Sequence, residues 1–246
     1  MNALNAPNAL RFERLDLLRT VAIVWMAAFH FAFDLNHFGL FEPRHNFHRD
    51  LLWTTQRSCI VSLFLFSAGI GQAVALQSAQ GWRRFWKRWA QVAVCALLVS
   101  AGSAWMFPRS WIFFGVLHGI AVMLIVCRLA APLGVWLWPL GALVLVLPWL
   151  PAVPTLDPPA LAWIGLVARR PITEDYVPVL PWLGVMLWGL AAGQWLLRNR
   201  PGLLAGALPA ARRPLAALGR WSLSFYMLHQ PVFIGALLGG RALGWW

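Results

Sequence analysis

Long apolar stretches alternate with short polar intervals along the whole chain, and this alternation sets its architecture. Seven segments, at about 17–37, 57–77, 88–107, 111–128, 133–150, 180–197 and 221–241, each approach the roughly 20 apolar residues that a helix needs to cross hydrocarbon. The pattern predicts an all-α integral membrane protein, with about seven transmembrane helices in one bundle and a single domain over residues 1–246. Met1 to Phe12 reads as a short polar tail. Pro132, Pro148, Pro151 and Pro181 fall at segment ends, where proline is tolerated, whereas Pro231 lies inside the last segment and predicts a kink there.

The first segment is the one whose polar positions stand out. Within RLDLLRTVAIVWMAAFHFAFDLNH it carries Arg19, His30, Asp34 and His37. At 100° per residue, His30, Asp34 and His37 fall within about 60° of one another on one helix face, with Asp34 one turn from each histidine. Arg19 returns to nearly the same face about 16 Å away along the axis. Ionisable groups in a membrane are costly, so such a stripe faces a protein interior or a wet cavity, as a polar seam between helices or as an active site.

Other segments add to it. Arg57 opens the second, near the level of Asp34 or His37, placed to snorkel to headgroups or to stabilise developing negative charge. Ser67, Ala68, Gly69 and Gly71 predict close helix packing. His118 in the fourth segment sits between Gly115 and Gly119, as a bonded structural histidine or one that a ligand can approach. Ser222, Tyr226 and His229 repeat the i, i+4, i+7 spacing in the last segment, with Gln230 beside the proline. Histidines on segments one, four and seven suggest a shared internal site.

Composition agrees with the segment pattern. Hydrophobic residues make up 60% and charged residues 11%, with 17 Trp, which excludes a soluble domain. The net charge of +12 does not imply nucleic acid, because the cations lie between apolar segments as topology signals do. In alternate intervals they divide 13 to seven, which predicts a cytoplasmic N-terminus and an external C-terminus. All acidic residues outside the first segment and its approach then lie externally, in the loops at 38–56 and 151–180. No cleavable leader is expected, since the first ten residues lack a charged n-region and no A-x-A site follows the first segment. Cys59, Cys95 and Cys127 have no metal-type spacing and read as small buried hydrophobes, and no metal is expected. Lys87 is the lone lysine among 20 cations, an arginine bias that fits a GC-rich bacterial origin and hence a multi-pass protein of the bacterial inner membrane.

Several blocks resemble a known family. The first segment, RLDLLRTVAIVWMAAFHFAFDL, resembles the first helix of transmembrane acyltransferases. SLFLFSAGIGQAVAL with the basic GWRRFWKRW, then IFFGVLHGIAV, VPVLPWLGVMLWGL and LGRWSLSFYMLHQPVFIG, are similar to the heparan-α-glucosaminide N-acetyltransferase catalytic-domain family. The blocks come in the family's order from Arg14 to Gly235. The resemblance implies transfer of an acyl group, typically acetyl, from cytoplasmic acyl-CoA to a hydroxyl or amine acceptor, such as a glycan, on the other face. It also implies a catalytic histidine near the external end of the first helix. His37 is nearest counting forward from the first helix, and His48 is favoured counting back from SLFLFSAG. The chain lacks the luminal domain and additional helices of the animal enzyme.

Acyl transfer needs a general base, an oxyanion stabiliser and exclusion of water. His30, Asp34, His37 and His48 are the candidates for the catalytic group, as general base or acyl relay. Arg19, Arg57, His118, Tyr226 and His229 are candidates for holding substrate or oxyanion. Arg83, Arg84, Lys87 and Arg88 could hold CoA phosphates, although the positive-inside rule already accounts for them and is the favoured reading. The expected partners are the lipid bilayer, acyl-CoA and an extracytoplasmic acceptor, with a homo-oligomer left open. A haem- or quinone-binding electron-transfer protein would also use histidines on facing helices. A proton-coupled transporter would use intramembrane Arg, Asp and His, but more usually with an internal repeat that is not evident here.

Overall fold

Hydrocarbon offers backbone N–H and C=O groups no partner but each other, so apolar segments of this length close their hydrogen bonds internally as helices. The computed structural model describes residues 12–205 and 208–246; the polar tail up to residue 11, with Arg11, lies outside the described residues. The described residues form ten α-helices: α1 (Glu13–His37), α2 (Leu51–Gln77), α3 (Trp82–Met106), α4 (Val116–Ala130), α5 (Leu137–Val146), α6 (Pro159–Ala162), α7 (Val179–Asn199), α8 (Gly202–Ala205), α9 (Arg213–Arg220) and α10 (Ser222–Ala242). Among the described residues the strand-like feature is an isolated bridge between Phe114 and Tyr176. Among the described residues, six helical runs are long and apolar enough to cross a membrane. The chain groups into two compact units, one of residues 1–64 and 202–246 and one of residues 65–201.

In the first unit, α1 packs against α9 and α10. Thr20 Oγ1 donates to Leu215 O at 2.5 Å, and Glu13 accepts the Leu208 N–H at 3.0 Å. At Gly219 the two backbones approach so closely that a Cβ there would meet the Asp16 carbonyl. Trp25 Nε1 donates to Gln56 on α2 at 3.2 Å. The loop after α1 is tied down by Asn36, whose amide bonds the His45 N–H and C=O at 2.8 and 3.1 Å. Phe47 is thereby buried against Met26, Phe29 and Ile60 and stacks on Trp53 at 4.0 Å.

In the second unit, Gly69 on α2 packs on the α7 backbone at Met186, and Gly189 of α7 packs on the α2 backbone at Phe66. This is the close approach that small residues permit between membrane helices. Val116–Trp149 satisfies the length criterion as one 34-residue run, yet it is not one rod. Gly119 on α4 faces Val177 just before α7, and Ala131 accepts from Gln194 near the end of α7 at 2.9 Å, so α4 and α7 run parallel. Trp138 then accepts from Trp188 at 3.0 Å, and Gly141 packs on Gly184, so α5 runs back along α7. The reversal lies at Gly134 (φ 57°, ψ −117°), a conformation costly for any side chain. The segments expected at 111–128 and 133–150 are thus the two limbs of this run.

Three expected helix starts are corrected. Hydropathy starts the second and third segments at 57 and 88, but α2 begins at Leu51 and α3 at Trp82. Hydropathy marks only the part of a helix that lies in hydrocarbon, and a helix continues past it while its backbone stays paired. The fourth was placed from 111, but α4 begins at Val116, because residues 111–115 are held extended against 173–177. There Glu174 N–H donates to Ser110 O at 2.9 Å, Thr173 Oγ1 to Trp111 O at 2.8 Å, and Val177 N–H to Phe114 O at 3.1 Å. The cysteines also divide: Cys127 is buried, Cys95 partly so, and Cys59 is exposed on the outside of α2 rather than buried. Pro231 lies within α10, which runs on as helix from Ser222 to Ala242.

Candidate functional site

The apolar spacing that makes α1 and α10 membrane helices also turns polar side chains of each toward the other. His30 Nδ1 lies 2.9 Å from His229 Nε2, and the two rings stack with centroids 5.1 Å apart. His229 is buried, 6% exposed, and its Nδ1 lies 2.7 Å from the Tyr226 carbonyl one turn earlier in α10. These contacts fix the tautomers of the neutral pair, since a carbonyl only accepts. His229 donates from Nδ1, so its Nε2 accepts, and His30 donates from Nδ1. The remaining ring nitrogen of His30, Nε2, then carries a lone pair and bonds no described residue.

One turn further along α1, Asp34 Oδ1 accepts from Gln230 Nε2 at 2.8 Å. Asp34 is 4% exposed, and its Oδ2 and the Gln230 Oε1 are both buried without a hydrogen-bond partner. Consecutive residues of α10 therefore engage α1 residues one turn apart. The shell is aromatic: Phe225 and Phe233 flank His229, Phe29 lies beside His30, and Phe31 contacts Phe233.

The structure places the other expected residues as follows. His37 and His48 are both exposed and lie against the same ring, Phe33, each at 6.4 Å. The sequence alternatives of a histidine at the end of the first helix and one in the following loop thus flank one aromatic side chain. Arg19 pairs with Asp16 at 3.1 Å near the α1 N-terminus. Arg57 is half-buried on α2 one turn after Trp53. Tyr226 contributes its carbonyl to His229, while its ring packs on Phe64 at 6.3 Å. Asp34 is bonded to Gln230 rather than to either histidine of its own face.

In the second unit His118 has partners of its own. Its Nδ1 accepts the Gly115 N–H at 3.3 Å, and its Nε2 lies 3.0 Å from Ser100 Oγ. Ser100 gives its single hydrogen to Ile112 O at 2.6 Å, so it accepts from His118. Asp175 caps α4 close by, accepting the Val116 N–H at 2.7 Å. Serine, histidine and aspartate thus gather here, but the histidine donates to the serine instead of accepting from it. A nucleophilic triad requires the opposite. Burial pushes the nearby Tyr176 phenol up to about 12, with Arg170 opposing, and it donates to Ala162 O at 2.6 Å. Arg83, Arg84, Lys87 and Arg88 are exposed on the first turns of α3. Arg128, close to them, donates to Gln80 O and lies over the Trp82 and Phe85 rings at 5.2 and 5.6 Å.

Sequence reasoning gave the α1 stripe but not its partners. Gln230 was visible only as an amide next to a proline, and Ser100 and Asp175 carry no spacing signal toward His118.

A helical membrane protein with a hydrogen-bonded imidazole pair and an acid–amide contact joining its first and last long helices is the class that the fold and site define. The chain belongs to the family described as heparan-alpha-glucosaminide N-acetyltransferase, catalytic, whose model matches residues 11–231. Membership makes it a multi-pass membrane protein of transferase type. No curated protein and no solved structure matches the chain.

Proposed function

We propose that the chain is a membrane acyltransferase that carries an acyl group, acetyl first of all, from cytoplasmic acyl-CoA to a hydroxyl or amine on an extracytoplasmic, sugar-type acceptor. The observation that supports this best is the His30–His229 pair, whose hydrogen bonds leave His30 Nε2 as a lone pair with a fixed direction. A neutral imidazole so held is a general base.

In the reaction, His30 Nε2 takes the proton of the acceptor O–H or N–H as its heteroatom attacks the thioester carbonyl. The carbon–sulfur bond breaks on collapse of the tetrahedral intermediate, and the CoA thiolate leaves with the proton held on His30. His229 keeps the imidazole in the required tautomer through its own bond to the Tyr226 carbonyl. Arg57 is the candidate to stabilise the oxyanion, and Arg83, Arg84, Lys87 and Arg88 to hold the CoA phosphates. His37 and His48 are the alternatives for the base, or for an acyl relay that carries the group outward. The haem reading is weaker, because His30 Nδ1 and His229 Nε2 are bonded to each other and cannot both ligate one iron between them.

The test is transfer of labelled acetyl from acetyl-CoA, by the full chain in proteoliposomes, to an aminosugar or sugar acceptor. The wild-type protein transfers label, and His30→Ala does not while still binding acetyl-CoA. Full transfer by His30→Ala would move the base to His37 or His48. Absence of both acetyl-CoA binding and transfer in the wild type would end the acyltransferase reading.

A further inference from the structure

We propose that Asp34 is held as the neutral acid in a closed acid–amide pair with Gln230. Gln230 Nε2–H donates to Asp34 Oδ1, and Asp34 Oδ2–H donates to Gln230 Oε1. The first of these bonds is present at 2.8 Å. The two oxygens of the second, Asp34 Oδ2 and Gln230 Oε1, are the buried atoms without partners at this contact. Two acceptors cannot satisfy each other, and a buried polar atom left unpaired costs as much as a lost hydrogen bond or more. One proton on Oδ2 supplies the missing donor and satisfies both atoms together.

The surroundings point the same way. Asp34 is 4% exposed in the span Glu13–His37, and no described Lys, Arg or His lies within ion-pair reach of its carboxyl. The titratable groups nearest in sequence on the two helices are His30 and His37 on α1 and His229 on α10, and His30 and His229 are bonded to each other. A carboxylate without a cation at such a place carries a desolvation cost that one amide hydrogen bond does not offset. The neutral pair has none.

The pair makes Asp34 a positioning residue rather than an electrostatic one. It locks α1 to α10 one turn beyond the His30–His229 contact, and it leaves orientation of His30 to His229 alone. The inference does not rest on the acyl-transfer reading, and its test needs no turnover.

The decisive measurement is the infrared spectrum of the full chain at neutral pH, with and without ¹³C-labelled aspartate. A protonated-carboxyl stretch that shifts on labelling, vanishes in Asp34→Asn and moves to higher frequency in Gln230→Leu is expected. Absence of such a band, or one unchanged in both variants, overturns the proposal. Asn presents N–H where the acid presents O–H and retains both bonds, so Asp34→Asn keeps the wild-type melting temperature while Asp34→Leu lowers it. Equal losses in the two variants would also refute the pair.

Discussion

A histidine becomes a base only when something else decides which of its nitrogens holds the proton, and at His30 that decision is made by His229 and the Tyr226 carbonyl. Two substitutions separate orientation from chemistry. On the proposed reading, His30→Ala removes the base and is expected to lower turnover by about a hundred- to ten-thousand-fold, the usual contribution of a general base, with acetyl-CoA binding unchanged. His229→Phe keeps a ring in the stack but takes the acceptor from His30 Nδ1. Turnover then falls by less, and the pH profile of turnover moves because the two tautomers of His30 are no longer distinguished. Initial rates across pH, with acetyl-CoA affinity measured alongside, check both. The stripe on α1 was legible from its i, i+4, i+7 spacing, because helical geometry alone puts those residues on one face. Its partners were not legible. Residues 30 and 229 are 199 positions apart, and no periodicity in one helix announces which neighbour it meets.

Helix contacts in this protein depend on where backbone can approach backbone. Gly219 on α9 and Gly235 on α10 look alike in the sequence, one in PLAALGR and the other in VFIGALL, yet their surroundings differ. A Cβ at Gly219 would meet the Asp16 carbonyl, whereas nothing lies within 4 Å of one at Gly235. Gly219→Ala is therefore expected to destabilise the protein by about 1–3 kcal/mol, the range for overpacking a fitted contact. Gly235→Ala is expected to be neutral or slightly stabilising through helix propensity. Thermal unfolding of both variants in one detergent makes the comparison, and equal melting temperatures would refute the close approach. Helix identity was readable from hydropathy, because length and apolarity are local properties. Helix beginnings were not, since α4 is delayed by pairing of residues 111–115 with a strand of chain some sixty positions later, as the Val116–Asp175 bond records (separation 59).

At the scale of the whole molecule, charge has two proposed tasks, to set the topology and to meet the donor, and the two can be told apart. Neutralising Arg83, Arg84, Lys87 and Arg88 together should weaken acetyl-CoA binding and flatten its salt dependence, because exposed cations act on phosphates through a screened field. An affinity and salt slope equal to wild type would leave the cluster with topology alone. Topology itself turns on the number of crossings. Among the described residues six runs are long and apolar enough to cross, and six crossings would return the C-terminus to the side of the N-terminus. The fourth run doubles back at Gly134, however, with α4 parallel and α5 antiparallel to α7. Counted as two limbs it makes the number of crossings odd, the case for which the cations divide 13 to seven. A reporter fused after Trp246 is accordingly expected to be active on the external side and one fused at Gly81 on the cytoplasmic side. Cytoplasmic activity at both sites would mean that α5, only ten residues long, turns back without crossing. The positive-inside count over the remaining intervals would then have to be satisfied without it.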